Sequence, residues 1–323
     1  MRVKISAICF LSFVTCLALF YQSGCQETKM YRVNKTQIGN WEFTAQINEL
    51  ELWYKVSGTG PVCILPTPGW GPSSELYFLD MAPMEEMFTM VYLDTRGSGR
   101  SQRPESNQYT ITDFVADIEG LRRHLGLKKI WLMGHSNSGT IVLNYAVTYP
   151  DRVLGLILVD TIVGNAGADP DMPKRMQPRK DEPWFAAAME QWQKKPTTPE
   201  EFNAYIKAIT PFYFYSVENL EKHQETFEQT SMSFDALQGQ VYSESASKNL
   251  ASKLSAINIP TLIIVGADDF LCGLSAALPI HREIPGSKLL VIEKAGHFPW
   301  LEQPEKFFGG IRDFLPKLRY EVN

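Results

Sequence analysis

A serine lies where an apolar run meets a helical pattern. Residues 130–133 are apolar and lead into Gly-His-Ser-Asn-Ser-Gly at residues 134–139. A serine held in such a strand-to-helix turn has a strained backbone, which lifts its hydroxyl clear of the sheet and requires small neighbours. The helix that follows directs its free amides and the positive end of its dipole to the same place. Ser136 is therefore a candidate nucleophile.

A serine hydroxyl is a weak nucleophile unless a base lies beside it. The chain has five histidines, and one of them, His135, directly precedes the candidate nucleophile. A carboxylate that accepts the second N–H of the histidine would fix its tautomer and stabilise the imidazolium formed during attack. Asp160 follows one apolar run, and Asp268 and Asp269 follow another. These residue types predict acyl transfer through a serine.

Short apolar runs along the chain predict a central sheet. Two alternating segments, residues 41–47 and 50–56, predict an antiparallel pair of strands. Continuous runs predict parallel strands that are buried on both faces. They lie at residues 62–65, 89–93, 130–133, 154–159, 261–265 and 288–292. Helical patterns separate these runs, so the chain is predicted to have an α/β fold with a mostly parallel central sheet flanked by helices.

The alternation stops between Thr161 and Asn258, where no parallel strand is predicted. A linker rich in Pro, Gly and Asp comes first, at residues 164–183. Helical patterns follow near residues 184–194, 199–209, 217–229 and 243–254. This interval is interpreted as a helical insertion, and most of its aromatic side chains are expected to pack against one another. Phe212 and Tyr213 are the candidates for contact with a substrate.

Three motifs resemble those of the α/β-hydrolase superfamily. The first is the serine turn, although the family usually has Gly in place of Ser138. The second is the Asp-Thr-Arg-Gly-Ser-Gly-Arg-Ser stretch at residues 94–101, for which a structural role is expected. The third, Gly296-His297 followed by Glu-Gln-Pro-Glu at residues 302–305, resembles the family's histidine loop. The resemblance covers residues 41–323 and implies a serine hydrolase with an acyl-enzyme intermediate and no cofactor.

The resemblance also implies the domain boundaries. An α/β-hydrolase core is expected at residues 40–161 and 259–323. A helical cap is expected at residues 162–258, inserted after the sixth strand.

The family's chain order, serine then acid then histidine, implies the remaining members of a triad. It selects His297 as the general base. The family pattern Gly-x-x-Asp after the penultimate strand selects Asp269 as the acid, with Asp268 one residue away. Some relatives carry the acid one strand earlier, which leaves Asp160 as an alternative.

Two backbone amides are expected to bind the developing oxyanion. The family position directly after the nucleophile is Asn137. The second amide is expected from the loop at residues 66–71, Pro-Thr-Pro-Gly-Trp-Gly, in which the two prolines have no N–H to donate. Gly69 is favoured narrowly over Trp70. Trp70 is also a candidate wall of the substrate pocket.

Within the superfamily, the Pro-Gly loop, the 94–101 stretch and the large insertion most resemble proline iminopeptidases. Those enzymes release an N-terminal proline and hold its amine with cap carboxylates. The insertion has four glutamates that a solvated helix face explains equally well, Glu218, Glu221, Glu225 and Glu228. A carboxylesterase acting on small or acyl-chain esters is the alternative, and a non-catalytic ligand-binding homologue is a third hypothesis.

Composition limits the partners. The chain has 323 residues, a formal charge of -5 and 44% hydrophobic residues, which is ordinary for a globular protein. No basic stripe is present to neutralise phosphates, so nucleic acid is not expected as a partner and a small molecule or short peptide is. Only Cys63 and Cys272 lie in the body of the chain, and no Cys/His cluster has zinc spacing, so no metal is expected.

The first residues have the layout of an export signal. Two basic residues precede an apolar run at residues 5–21, and Ser-Gly-Cys follows, ending at Cys25. Residues 1–25 are predicted to be a signal peptide or a lipoprotein signal with lipid on Cys25. The run is about as long as the shortest membrane-spanning helix, ~17 residues, so an uncleaved anchor is an alternative. The protein is expected to be exported: periplasmic or membrane-anchored in a bacterium, otherwise secreted or signal-anchored.

Overall fold

The computed structural model describes residues 41–105, 108–163, 171–239 and 249–315. The predicted export signal lies outside these ranges. Within them, no helix is both long enough and apolar enough to cross a membrane.

The described strands form one eight-stranded sheet in the order β1-β2-β4-β3-β5-β6-β7-β8. Their bounds are β1 Trp41–Ile47, β2 Leu50–Gly58, β3 Val62–Pro66, β4 Thr89–Leu93, β5 Ile130–His135, β6 Val153–Val159, β7 Thr261–Gly266 and β8 Lys288–Ile292. Strand β2 is antiparallel to β1 and β4, and the remaining neighbours are parallel. Every residue of β5 and β7 is buried, as expected for strands that helices cover on both faces.

Helices lie on both faces of the sheet. In chain order the described ones are α1 Glu75–Phe78, α2 Ala82–Glu85, α3 Ile111–His124, α4 Asn137–Thr148, α5 Met172–Met176, α6 Phe185–Trp192, α7 Pro199–Ile209, α8 Val217–Lys222, α9 Gln224–Gln229, α10 Phe234–Gly239, α11 Leu274–Glu283, α12 Pro299–Glu302 and α13 Pro304–Phe314. Helix α3 shows the local cause of helix formation. Thr110 and Asp113 form a capping box at its start, and its buried face presents Phe114, Ile118 and Leu121.

Two apolar cores follow from the alternation of side chains along the strands. Leu132 of β5 belongs to the core that contains side chains of α3, α4 and α11. Its neighbour Met133 belongs to the opposite core, with side chains of α1, α2 and α13. This arrangement holds β5 to β8 in parallel, so the residues that follow these strands meet at one edge of the sheet.

The 94–101 stretch has a structural role, as expected, and it joins the end of β4 to α3. Asp94 accepts hydrogen bonds from the N–H groups of Ser74 at 2.7 Å and Arg100 at 2.9 Å. Arg96 pairs in a bidentate fashion with Asp117 of α3, with both N···O distances at 2.7 Å. The loop is therefore fixed by buried charge pairs.

In the described residues between β6 and β7, the structure has helices and no strand. The predicted linker at residues 164–183 is partly helical, since it contains α5 and a 3-10 turn at Gln177–Arg179. Both have proline in the first turn, where a missing N–H costs nothing. The helix predicted near residues 217–229 is divided at His223 into α8 and α9. Of the one predicted near residues 243–254, residues 243–248 lie outside the described residues, and a 3-10 turn begins at its end, at Leu254–Ala256.

Candidate active site

Ser136 forms the turn between β5 and α4. Its φ is 55° and its ψ is -127°, a conformation that residues other than glycine rarely adopt. The N–H of Ser136 donates to the carbonyl oxygen of Val159 at 2.9 Å, which ties the turn to β6. A Cβ on Gly134 would lie 2.6 Å from the Cα of Gly139, so no side chain fits there. Close packing of strand and helix therefore maintains the strained turn predicted from the sequence.

Ser138 stands where the family usually has glycine, and the structure accommodates it. Its side chain is fully buried. The hydroxyl donates to the carbonyl oxygen of His135 at 2.8 Å and accepts from the N–H of the same residue at 2.9 Å. The second serine of the motif is thus engaged with the backbone of the strand end.

His297 and Asp269 follow the last two strands and meet at the same edge of the sheet. His297 Nδ1 lies 2.7 Å from Asp269 Oδ2, and Asp269 Oδ1 accepts from the N–H groups of Leu271 at 2.8 Å and Cys272 at 3.0 Å. Burial by itself raises the pKa of Asp269, but the charge of His297 and these hydrogen bonds outweigh it and lower that pKa below its usual value. An ionised Asp269 can only accept, so His297 Nδ1 carries the proton of this hydrogen bond. In the neutral ring, Nε2 is then an acceptor.

The other two candidate acids do not hydrogen bond to His297. Asp268 is half-buried, and its N–H donates to the carbonyl oxygen of Ala295 at 2.9 Å. Asp160 is fully buried, and its Oδ1 accepts from the N–H of Gly266 at 2.8 Å.

Between the described residues Ser136 and His297 the structure has no side-chain hydrogen bond. The His297 ring packs against the ring of His135, with centroids 4.5 Å apart, and His135 directly precedes the serine. The N–H of His297 donates to the carbonyl oxygen of Tyr213 at 2.7 Å. Catalytic hydrogen bonds are often long before substrate binds. In the structure, the histidine and the carboxylate are therefore hydrogen bonded, whereas the serine and the histidine are not.

The loop after β3 approaches the serine turn. The side-chain amide of Asn137 donates to the carbonyl oxygen of Pro68. The N–H of Thr67 is occupied by the carbonyl oxygen of Leu93 at 3.0 Å, whereas the amides of Gly69 and Trp70 donate to no described residue. Nothing in the described part of the chain occupies either N–H, so both remain candidate oxyanion donors.

The three residues predicted to contact substrate have different surroundings. Phe212 is 1% exposed and lies within an aromatic cluster. The cluster contains Phe270, which follows β7, and three side chains of the insertion, Trp184, Phe185 and Trp192. Tyr213 packs against the His297 ring, with centroids 5.2 Å apart. Trp70 is half-buried, and its ring meets that of Phe202 edge-on at 6.4 Å. Of the three, Tyr213 has direct contact with a residue of the predicted triad.

Glu302 lies in the histidine-loop motif, but the sequence did not reveal the contacts that it makes. Its buried carboxylate accepts hydrogen bonds from four groups, Gly296 N–H at 2.6 Å, Tyr215 N–H at 2.9 Å, Ser216 N–H at 3.2 Å and Asn219 Nδ2 at 3.1 Å. Burial raises the pKa of Glu302, and these donors counteract part of that rise. The carboxylate therefore joins the histidine loop to the helical insertion.

Two groups of described side chains offer metal-ligand atoms within 4.8 Å of one another, His135 with Asp160 and His297, and Asp269 with Cys272 and His297. His297 is common to both, and its Nδ1 already bonds to Asp269. A metal that took this nitrogen would break the histidine–carboxylate pair.

Known proteins share the fold of this chain. Residues 64–304 match the family model for the alpha/beta hydrolase fold. The chain belongs to the α/β-hydrolase family. This confirms the predicted fold class and makes the chain a hydrolase.

Individual α/β hydrolases extend the comparison. A proline iminopeptidase of Saccharolobus solfataricus is 25% identical over 285 residues, which cover 84% of this chain and 89% of that protein. An α/β fold family hydrolase from Bacillus anthracis superposes with a TM-score of 0.70 at 20% identity, over 85% of this chain and 99% of that one. An esterase from Exiguobacterium antarcticum superposes with a TM-score of 0.65 at 21% identity, over 85% and 100% of the two chains.

Proposed function

We propose that this α/β hydrolase is a serine hydrolase in which Ser136 is the nucleophile, His297 the general base and Asp269 the acid that orients the base. The observation that carries the proposal is the 2.7 Å contact between buried His297 Nδ1 and Asp269 Oδ2. It lies at the sheet edge where the strained Ser136 turn also ends. His297 Nδ1–H donates a hydrogen bond to the Asp269 carboxylate, so Nε2 is free to take the proton of the serine hydroxyl.

The reaction then has two halves. The hydroxyl oxygen of Ser136 attacks the acyl carbon while His297 Nε2 takes the proton, and the carbonyl oxygen becomes an oxyanion. Backbone N–H groups of Asn137 and Gly69, with Trp70 as the alternative to Gly69, bind that oxyanion. Collapse expels the amine or alcohol, which receives the proton from His297. Water, deprotonated by His297, attacks the acyl-enzyme in the same way and releases the acid.

We infer a peptide with an N-terminal proline as the substrate, held under a helical cap at residues 162–258. The similarity to the proline iminopeptidase of Saccharolobus solfataricus supports this assignment. In the proposed complex Tyr213 and Trp70 contact the acyl group, because Tyr213 packs on His297 and Trp70 belongs to the oxyanion loop. Phe212, which is buried among other aromatic side chains, would support Tyr213.

One observation favours a carboxylesterase as the second candidate. The charged amine of an N-terminal proline would need a carboxylate beside the acyl site. The four glutamates of the insertion are all exposed on α8 and α9, namely Glu218, Glu221, Glu225 and Glu228. Side chains that pack around His297 are aromatic, namely Tyr213 and Phe298. Such surroundings suit an acyl chain without a charge.

Labelling with a fluorophosphonate tests the nucleophile. The wild type and S138A are expected to be labelled with one adduct on Ser136, and S136A is expected to remain unlabelled. S138A is the matched control because both serines belong to the same turn. Folded wild type that fails to react, or S136A that still reacts, would reject the serine hydrolase.

Steady-state kinetics with proline p-nitroanilide and p-nitrophenyl acetate separate the two substrate classes. A proline iminopeptidase should cleave the anilide, and should cleave alanine p-nitroanilide at least ten times less efficiently by kcat/KM. Cleavage of the acetate without cleavage of the proline anilide would reject the peptidase and retain the carboxylesterase.

The export signal at residues 1–25 also remains a proposal. Intact-mass measurement of the mature protein tests it: a chain that begins at a lipid-modified Cys25 supports a lipoprotein, and a chain that begins just after the signal supports release. A full-length chain that begins at Met1 in the soluble fraction contradicts both.

A further inference from the structure

A second buried carboxyl group lies beside the Asp269–His297 pair and has no part in the proposed reaction. Asp160 directly follows β6 and is fully buried. Its Oδ1 accepts from the N–H of Gly266 at 2.8 Å, but its Oδ2 is buried and receives no hydrogen bond from any described residue. A buried charged oxygen without a donor is unfavourable, so burial favours the protonated, neutral form of Asp160.

The nearby histidines do not supply the missing hydrogen bond. A carboxyl oxygen of Asp160 and ring nitrogens of His135 and His297 all lie within 4.8 Å of one another. His135 Nε2 lies 2.8 Å from the carbonyl oxygen of His297, which can only accept, so Nε2 carries the proton. Nδ1 of this neutral ring therefore accepts from the hydroxyl of Tyr77 at 3.2 Å. His297 Nδ1–H donates its hydrogen bond to Asp269, so it does not serve Asp160.

The remaining charged neighbours of Asp160 are acidic. Burial is the largest influence that raises the pKa of Asp160 well above its usual value, and the charges of Asp269 and Glu302 act in the same direction. Asp269 raises this pKa by its charge and at hydrogen-bonding range. Ionised carboxylates only accept, so a hydrogen bond between the two side chains requires a proton on one of them. The hydrogen-bond donors around each carboxyl group indicate which of the two is protonated.

Asp269 has three donors, the His297 ring and the N–H groups of Leu271 and Cys272. Asp160 has one, the N–H of Gly266. When two carboxyl groups share a buried site, the proton resides on the one whose charge is less well stabilised. Asp269 therefore keeps the charge, and Asp160 keeps the proton.

We propose that Asp160 is a neutral carboxylic acid whose Oδ2–H donates to the Asp269 carboxylate and so positions the acid of the triad. Asp160 acts through Asp269 and has no contact with substrate, so it is a positioning residue. The inference rests on the proposed function for the role of Asp269, but the location of the proton can be tested without it. It gives Asp269 a fourth donor and completes the buried network behind His297.

Two variants of Asp160 form a matched pair. The φ of Asp160 is 42°, which asparagine tolerates and glycine adopts freely, so neither variant adds backbone strain. D160N keeps both hydrogen bonds, because its amide oxygen accepts from Gly266 and its NH₂ group donates to Asp269. D160G removes both. With p-nitrophenyl acetate as the probe, kcat should fall no more than about threefold in D160N and at least about tenfold in D160G.

The pH–rate profile separates a neutral Asp160 from a charged one. A negative charge within about 4–6 Å raises the pKa of a histidine by ~1–3 units. If Asp160 is neutral, D160N leaves the acidic limb of kcat/KM where it is in the wild type. If Asp160 is ionised, D160N removes a negative charge beside His297 and moves that limb to lower pH by about one unit or more. Such a shift, or equal kcat in D160G and the wild type, would overturn the proposal.

Infrared difference spectroscopy locates the proton even if the enzyme lacks activity. The wild-type-minus-D160N spectrum at neutral pH should contain the C=O stretch of a protonated carboxylic acid. The wild-type-minus-D268N spectrum, with an aspartate one residue from the triad acid, serves as the comparison. A carboxylate band lost in D160N in place of the acid band contradicts the inference. Failure of fluorophosphonate labelling with the acid band present would reject the proposed function alone.

Discussion

His135 Nε2 donates a hydrogen bond to the backbone carbonyl oxygen of His297 at 2.8 Å. The residue before the proposed nucleophile thereby holds the backbone of the proposed base. The two rings also pack with their centroids 4.5 Å apart. The serine turn and the histidine loop are distant in sequence, so this contact makes them parts of one rigid arrangement.

Replacing His135 should impair catalysis through the position of His297. H135F removes the donor and is expected to lower kcat by about 10–100-fold, since a displacement of about 1 Å at a catalytic group has effects of that size. H135Q, which keeps a side-chain N–H, should lie between H135F and the wild type. Burial and the charge of His297 lower the pKa of His135 well below its usual value, so neither variant should change the acidic limb of the pH–rate profile. Wild-type kcat in H135F, measured with p-nitrophenyl acetate, would contradict this role.

Replacing Glu302 should destabilise the protein, because four donors would lose their charged acceptor. Leaving buried donors unsatisfied costs about 1–3 kcal/mol each. E302Q is therefore expected to lose at least ~2 kcal/mol, which corresponds to a fall in Tm of roughly 4–8 °C for a domain of this size. Thermal unfolding followed by circular dichroism measures this. E305Q is the control, because Glu305 is exposed and lies on the same stretch of chain. Equal falls in Tm for E302Q and E305Q would mean that the hydrogen bonds to Glu302 do not stabilise the protein.

The adjacent aspartates at the end of β7 should differ strongly in their effect on catalysis. D269N replaces the acceptor of His297 Nδ1–H with a group that can stabilise the wrong tautomer, and kcat is expected to fall by about 10⁴-fold. D268N should retain kcat within about threefold, since Asp268 makes no hydrogen bond to His297. The measurement is kcat with p-nitrophenyl acetate for both purified variants, each shown to be folded. A larger loss of kcat in D268N than in D269N would identify Asp268 as the acid of the triad.

The strands and the serine turn were predictable because local patterns determine them. β5 and β7 are uninterrupted apolar runs, and each is buried on both faces. Gly134 and Gly139 flank Ser136 in sequence and meet in space, where a Cβ would not fit. Periodicity and a short motif were therefore sufficient for these elements.

Other features depend on contacts between distant segments. Phe212 belongs to the core of the insertion because Phe270, which follows β7, packs against it, and composition alone does not show which aromatic side chains face inward. The role of Glu302 requires donors from two segments, Gly296 on its own loop and Tyr215 in the insertion. The protonation state inferred for Asp160 likewise depends on neighbours supplied by β7 and the histidine loop.

The stability of D160N relative to the wild type should increase with pH. The pKa of Asp160 is raised in the folded protein, so above the unfolded pKa of ~3.9 the native state holds a proton that the unfolded chain has released. This contribution to wild-type stability is complete below the unfolded pKa and is lost as pH rises towards the folded pKa, with a slope of up to about 1.4 kcal/mol per pH unit. D160N has no such proton. The lowered pKa of Asp269 has the opposite sign, but it is common to both proteins. Urea unfolding at about pH 5, 6 and 7 under constant ionic strength measures the difference, and a difference that does not change with pH would show that Asp160 releases its proton as readily in the folded protein as in the unfolded chain.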